Sequence, residues 1–177
     1  MLLALASAVG SISACNVIVN PGFEAGLSGW QFTQPGAVSP TGAVVHSGAG
    51  ALAFTMPNLS GTSIAYQTLA AVGDPVSLSF WIRVDQLGAA KLRVDVSIGG
   101  TPFLAVPVLA ADQWTFVDLS AQVAPQPVAR ELRFYAVAVG TGQAGAKVYL
   151  DDVNFGVVPS PGAVGVMAGF ASVRRRR

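Results

Sequence analysis

The chain has 177 residues, 52% of them hydrophobic and 11% charged, with 20 glycines, 11 prolines, one cysteine and one histidine. Its formal charge of +1 owes everything to four arginines at the C-terminus, without which six Lys/Arg face nine Asp/Glu and the charge falls to about −3. A mildly acidic body with scattered basic residues excludes a nucleic-acid binder, which needs a basic stripe, and one Cys with one His excludes a disulfide framework and a zinc cluster.

The first fifteen residues have the outline of a secretory signal peptide. Residues 2–9 are apolar, and the small residues Gly10, Ser11, Ser13 and Ala14 follow, although a positively charged leading segment is missing. Ile12-Ser13-Ala14-Cys15 also fits a lipobox, in which Cys15 would be lipidated. Ordinary cleavage near Ala14 or Cys15 is favoured, because a second anchor would be redundant with the tail described below.

Residues 16–157 suit one domain. No helical period of useful length appears there. Short apolar runs punctuated by Gly, Pro, Ser and Thr give the pattern of an all-β sandwich or barrel. Along residues 76–85, Val76, Leu78, Phe80, Ile82 and Val84 alternate with Ser77, Ser79, Trp81, Arg83 and Asp85. Leu92, Val94, Val96 and Ile98 alternate with Lys91, Arg93, Asp95 and Ser97. Leu132, Phe134, Ala136 and Ala138 alternate with Glu131, Arg133, Tyr135 and Val137. Such alternation marks strands with one dry and one wet face. Residues 16–19, 49–56, 64–69, 114–119 and 147–155 complete eight or nine strands, with turn signals at Gly73-Asp74-Pro75 and Gly99-Gly100. Two antiparallel sheets stacked on their apolar faces would make the core.

Saccharide sites set aromatic rings against the apolar faces of pyranoses and use polar groups to fix hydroxyls. Trp81 and Tyr135 fall on the polar phases of their strands near Arg83 and Arg93, so these four residues form the candidate polysaccharide platform. The competing reading covers Trp81 with a loop or the second sheet. Trp30 and Trp114 are expected in the core or at a corner. Catalysis has little support: His46 is the lone histidine and lies in a turn, and Asp85, Asp95 and Glu131 read as a solvated sheet face. The chain is therefore expected not to be an enzyme.

Residues 158–177 close the chain as Val158-Pro159-Ser160-Pro161, an uncharged stretch, and Arg174, Arg175, Arg176 and Arg177. As a helix, the eleven apolar residues 163–173 would span roughly 17 Å, well short of the ~30 Å hydrocarbon core. The arginines would remain cytoplasmic. An apolar helix packed on the domain is the alternative, but it gains nothing from ending in four arginines. This tail resembles the PEP-CTERM sorting signal of Gram-negative bacteria, with Ser160 in place of the usual glutamate. The resemblance implies transient anchoring in the inner membrane, processing by an exosortase-type enzyme and release to the cell surface or outside.

The body carries a second resemblance. Asn16-Val17-Ile18-Val19-Asn20-Pro21-Gly22-Phe23-Glu24, then Gly29-Trp30, Val45-His46-Ser47-Gly48, residues 76–84 and Tyr149-Leu150-Asp151-Asp152-Val153 are similar in order and spacing to landmarks of family 4/9-type carbohydrate-binding modules and their galactose-binding-like relatives. The resemblance implies an antiparallel β-sandwich jelly roll of eight or more strands and a non-catalytic polysaccharide-binding role. A structural or adhesive envelope protein is the alternative. It also implies a structural calcium ion held by Glu24 and Asp151, with a carbonyl of Ser47. Both ends of a jelly-roll chain pair in one sheet, so these carboxylates would meet, and a hard cation relieves their repulsion. The alternative is that Glu24 caps a turn and Asp151 is exposed.

Overall fold

The computed structural model describes residues 15–34, 37–56, 61–70, 76–85, 91–99, 103–107, 109–124, 128–139 and 145–157. Residues 1–14 of the expected signal segment, the expected turn Gly73-Asp74-Pro75, Gly100 and the expected sorting tail 158–177 lie outside the described residues.

Among the described residues ten strands form two antiparallel sheets: β1 (Cys15–Asn16), β2 (Gln31–Thr33), β3 (Val38–Thr41), β4 (Ala51–Thr55), β5 (Gly61–Leu69), β6 (Val76–Asp85), β7 (Lys91–Ile98), β8 (Trp114–Asp118), β9 (Arg130–Val139) and β10 (Lys147–Val157). One sheet runs β3-β4-β10-β6-β8, with β1 also on β10; the other runs β2-β5-β9-β7. We call them the β10 sheet and the β9 sheet. Successive long strands pass from one sheet to the other, which makes the sandwich a jelly roll. Among the described residues no helix is long and apolar enough to cross a membrane.

The alternations in sequence set the core. Leu78, Phe80, Ile82 and Val84 from β6 meet Leu132, Phe134 and Ala136 from β9, with Val96 and Ile98 from β7. Phe80 and Phe134 cross edge to face with centroids 5.1 Å apart, an arrangement aromatic quadrupoles favour. Two short strands, β2 and β3, exceed the eight or nine expected. Each has at most four residues, too few for a period to declare itself.

The landmark at residues 16–24 is a fastening. The Asn16 side chain accepts hydrogen bonds from the N–H groups of Ile18 and Phe155 and donates to the Val153 carbonyl. Asn20 takes a left-handed conformation, φ 53°, which Asn tolerates better than most residues. From there its amide oxygen accepts from Ala25 N–H, its amide nitrogen reaches the carbonyls of Gly26 and Ser28, and its own carbonyl receives the Trp30 indole N–H at 3.2 Å. Trp30 and Phe23 are then buried together, ring centroids 5.1 Å apart. Trp30 is a core residue, as its sequence position suggested.

Candidate functional site

The turn at residues 46–50 lies over β10, where two neighbouring acids occupy a bulge. Between Asp151 and Asn154 the pairing of β10 with β6 slips by one residue. Asp152 adopts φ 49° there, a β-bulge that re-aims side chains. Asp151 is wholly buried and accepts the N–H groups of His46 at 2.9 Å, Ser47 at 3.2 Å and Asp152 at 2.8 Å. Burial pushes its carboxyl above the usual value, and the adjacent Asp152 adds to this, while the three N–H groups oppose it. Asp152 meets the His46 imidazole Nδ1 at 2.7 Å and accepts the Ser47 hydroxyl at 2.8 Å.

Glu24 binds the other side of the same turn, accepting from Ala49 N–H at 3.0 Å and Gly50 N–H at 3.2 Å. Gly22 lies between the acids: a β-carbon there would stand 3.7 Å from Asp151 Oδ1 and 4.0 Å from Glu24 Cγ. Glu24 and Asp151 thus flank Gly22. Each is satisfied by turn amides, so Glu24 caps the turn while Asp151 is buried. Ser47 faces Asp151 through its N–H. Among the described residues no three His, Cys, Asp or Glu side chains gather as metal ligands.

The four residues expected to form one platform are divided. Trp81 and Arg83 are on β6 in the β10 sheet; Tyr135 and the backbone of Arg93 are on β9 and β7 in the β9 sheet. Phe80, Ile82, Phe134 and Ala136 fill the core between them, so Trp81 and Tyr135 point out of opposite faces. A shared polar phase shows that a side chain leaves the core; it does not show which sheet carries the strand.

On the β10 sheet, Trp81 is stacked beneath His46 at 3.8 Å and 14°, so a loop covers it. Trp114 is half-buried outside the core, its ring edge-on to His46 at 5.7 Å. Arg83 pairs with Asp85 at 2.8 Å. Burial raises the neighbouring Tyr149 phenol, with the Asp85 charge adding to it.

The outer face of the β9 sheet is more open. Its register aligns Gln31, Tyr66, Arg133 and Ser97 in one cross-strand row and Thr33, Ile64, Tyr135 and Asp95 in the next. Arg133 sits over the Tyr66 ring, 5.6 Å from its centroid, and pairs with Glu131. Phe103 is 58% exposed and stands edge-on to Tyr135 at 5.1 Å. Leu104 N–H bonds to the Val96 carbonyl at 2.8 Å, and Ala105 makes two hydrogen bonds with the Gln122 side chain, so the segment carrying Phe103 is fixed along the edge of β7. Beside this face a shallow recess of about 530 Å³ is lined by Thr68, Gly99, Val128, Arg130, Glu131 and Arg133, among others. Asp85, on the opposite sheet, cannot join Glu131 or Asp95 in a carboxylate pair.

Tyr66 and Phe103 escaped the sequence reading. Tyr66 shares the outward phase of Ile64 and Thr68, but the inward phase of β5 is Ser63, Ala65, Gln67 and Leu69, too polar to stand out. Gln67 is buried because its amide pairs with both backbone groups of Val19. Phe103 lies in a connection with no period to read.

No family model matches the chain, and no curated protein does. Solved structures do. The carbohydrate-binding module TmCBM61, in complex with β-1,4-galactotriose, superimposes with a TM-score of 0.61 at 20% identity, covering 82% of this chain and 100% of the module. The CBM22-1 xylan-binding domain of Paenibacillus barcinonensis Xyn10C gives 0.53 at 17% identity, over 85% and 99%. The K3 adhesin domain of Lys-gingipain from Porphyromonas gingivalis gives 0.59 at 16% identity, over 78% and 98%. The chain shares the jelly-roll β-sandwich of carbohydrate-binding modules.

Proposed function

We propose that the protein is a non-catalytic polysaccharide-binding module acting at the cell surface or outside the cell. The observation that carries this reading is the outer face of the β9 sheet, where Tyr135 and exposed Phe103 stand beside Arg133, Glu131 and a shallow recess. Rings for the apolar face of a sugar lie next to donors and acceptors for its hydroxyls. The site contributes Tyr66, Phe103, Arg133 and Tyr135, with Arg93 placed on the same sheet. Likeness to modules solved with a galactotriose or named for xylan binding supports the ligand class. Affinity electrophoresis of the full chain in gels containing β-1,4-galactan or xylan tests it: retardation that Tyr135→Ala weakens is expected. Unretarded migration in both gels, with the domain folded, would favour the structural or adhesive reading, which the likeness to an adhesin domain supports.

Export rests on the signal-like segment 1–15. Sorting through an exosortase-type enzyme rests on Val158, Pro159, Ser160, Pro161 and the arginines 174–177, with the inner membrane holding the tail until processing. Calcium belongs to the same proposal as a staple between the chain ends. Glu24 and Asp151 flank Gly22 with hard oxygen donors, and Asp151 is a desolvated carboxylate that a cation would stabilise. Further ligands would be carbonyls, Ser47 among them.

A further inference from the structure

We infer that the outer face of β6 and β8 is a second saccharide-binding face, so that one domain bridges two polysaccharide chains. The inference rests on the reading of the β9 sheet above and extends it to the opposite side of the sandwich.

The two faces repeat one arrangement. On the β9 sheet, the exposed ring of Phe103 leans on Tyr135, beside the pair Glu131 and Arg133, two residues apart on β9. On the β10 sheet, Phe116 is 52% exposed and leans on Trp81 with centroids 5.4 Å apart. The pair Arg83 and Asp85 lies beside it, two residues apart on β6. Register sets Phe116 opposite Trp81 and Trp114 opposite Arg83, which places rings and hydrogen-bonding groups in adjacent rows. Trp81 is fixed by the stacked ring of His46, itself held by Asp152, so Phe116 rests on a rigid support. An exposed aromatic ring on a fixed support loses little freedom when a sugar stacks on it.

The ligand class follows from charge. Arg83 is matched by Asp85, as Arg133 is by Glu131, so each pair offers donors and acceptors with no net charge. That suits the hydroxyls of a neutral polysaccharide. The apolar core separates the two faces, which point in opposite directions. A domain with both faces occupied therefore links two segments of polysaccharide.

The test uses the full chain, shown to be a monomer by sedimentation, with soluble β-1,4-galactan and xylan as probes. Light scattering across a protein titration reads bridging, and affinity electrophoresis reads binding. The wild type should raise scattering along a bell-shaped curve. Phe116→Ala and Phe103→Ala, each with an unchanged Tm, should still be retarded but leave scattering at baseline. The double variant should lose at least about tenfold in affinity. A wild type that binds without bridging, or a Phe116→Ala protein that bridges fully, would overturn the second face and leave the first standing. A wild type that neither bridges nor is retarded would instead remove the saccharide reading of both.

Discussion

Replacing Asp151 by alanine removes the acceptor on which the turn at residues 46–47 hangs. His46 and Ser47 each lose an acceptor 2.9 and 3.2 Å away. A buried donor left unsatisfied costs about 1–3 kcal/mol. These two bonds are partly buried, so the lower half of that range applies, giving about 2–4 kcal/mol together. The loss of the Asp152 N–H partner adds little, because it is local. A domain of this size has roughly 5–15 kcal/mol in all, and 1 kcal/mol moves Tm by about 2–4 °C near this length. Asp151→Ala should therefore lower Tm by about 4–16 °C in circular-dichroism melts, with faster amide exchange at His46 and Ser47. Asp151→Asn keeps one carbonyl oxygen for the turn and should cost about half as much. Running both in chelator separates hydrogen bonding from metal. An Asp151→Ala protein that melts at or above the wild type would refute the argument. It would mean that desolvating the carboxylate, which raises its pKa, costs more than its hydrogen bonds return.

Calcium at a hundredfold excess over its dissociation constant should stabilise the wild type by about 2.7 kcal/mol and Asp151→Ala far less; a wild-type Tm unmoved by either calcium or chelator would dispose of the staple. Gly48, at φ 62°, has no room for a β-carbon beside Glu24 Oε1. Gly48→Ala should cost about 1 kcal/mol for the backbone plus a clash, and urea melts of the Gly48→Ala/Glu24→Ala double variant should show non-additivity as the clash is relieved. At Gly50 the obstacle is the Phe23 carbonyl, which cannot swing aside, so Gly50→Ala should destabilise more than Gly48→Ala in the same melts. The Ser120 hydroxyl, then its N–H, hold the Asp118 carboxyl below its ordinary value of 3.8. A lowered acid stabilises the fold above its unfolded pKa and loses that contribution as pH falls through the folded one. Ser120→Ala should raise the Asp118 titration midpoint by NMR and narrow the acid range in which this contribution persists.

Among the residues whose side chains are described, the sequence placed the inward ones of β6, β7 and β9 correctly (Leu78 to Val84, Val96, Ile98 and Leu132 to Ala136 in alternation), because a strand repeats every two residues and one face of each is dry. Glu24 and Asp151, expected to share a cation, each bind amides of the turn at residues 46–50. Asn16, bonded to Val153 and Phe155, shows why both reach one turn: among the described residues the first strand pairs with the last. His46 was legible as a turn residue, yet nothing near it in sequence shows that its ring stacks on Trp81 and bonds to Asp152, 106 residues away.

What the sequence determined alone was the class of fold and the inward side of the long strands, both written in local alternation and composition. The tertiary structure decided which residues share a surface. Trp81 and Tyr135 obey the same alternation, but β6 and β9 belong to different sheets, so the expected single platform became two opposed faces. Sheet membership depends on pairings between strands distant in sequence, and the period of a single strand carries no record of them.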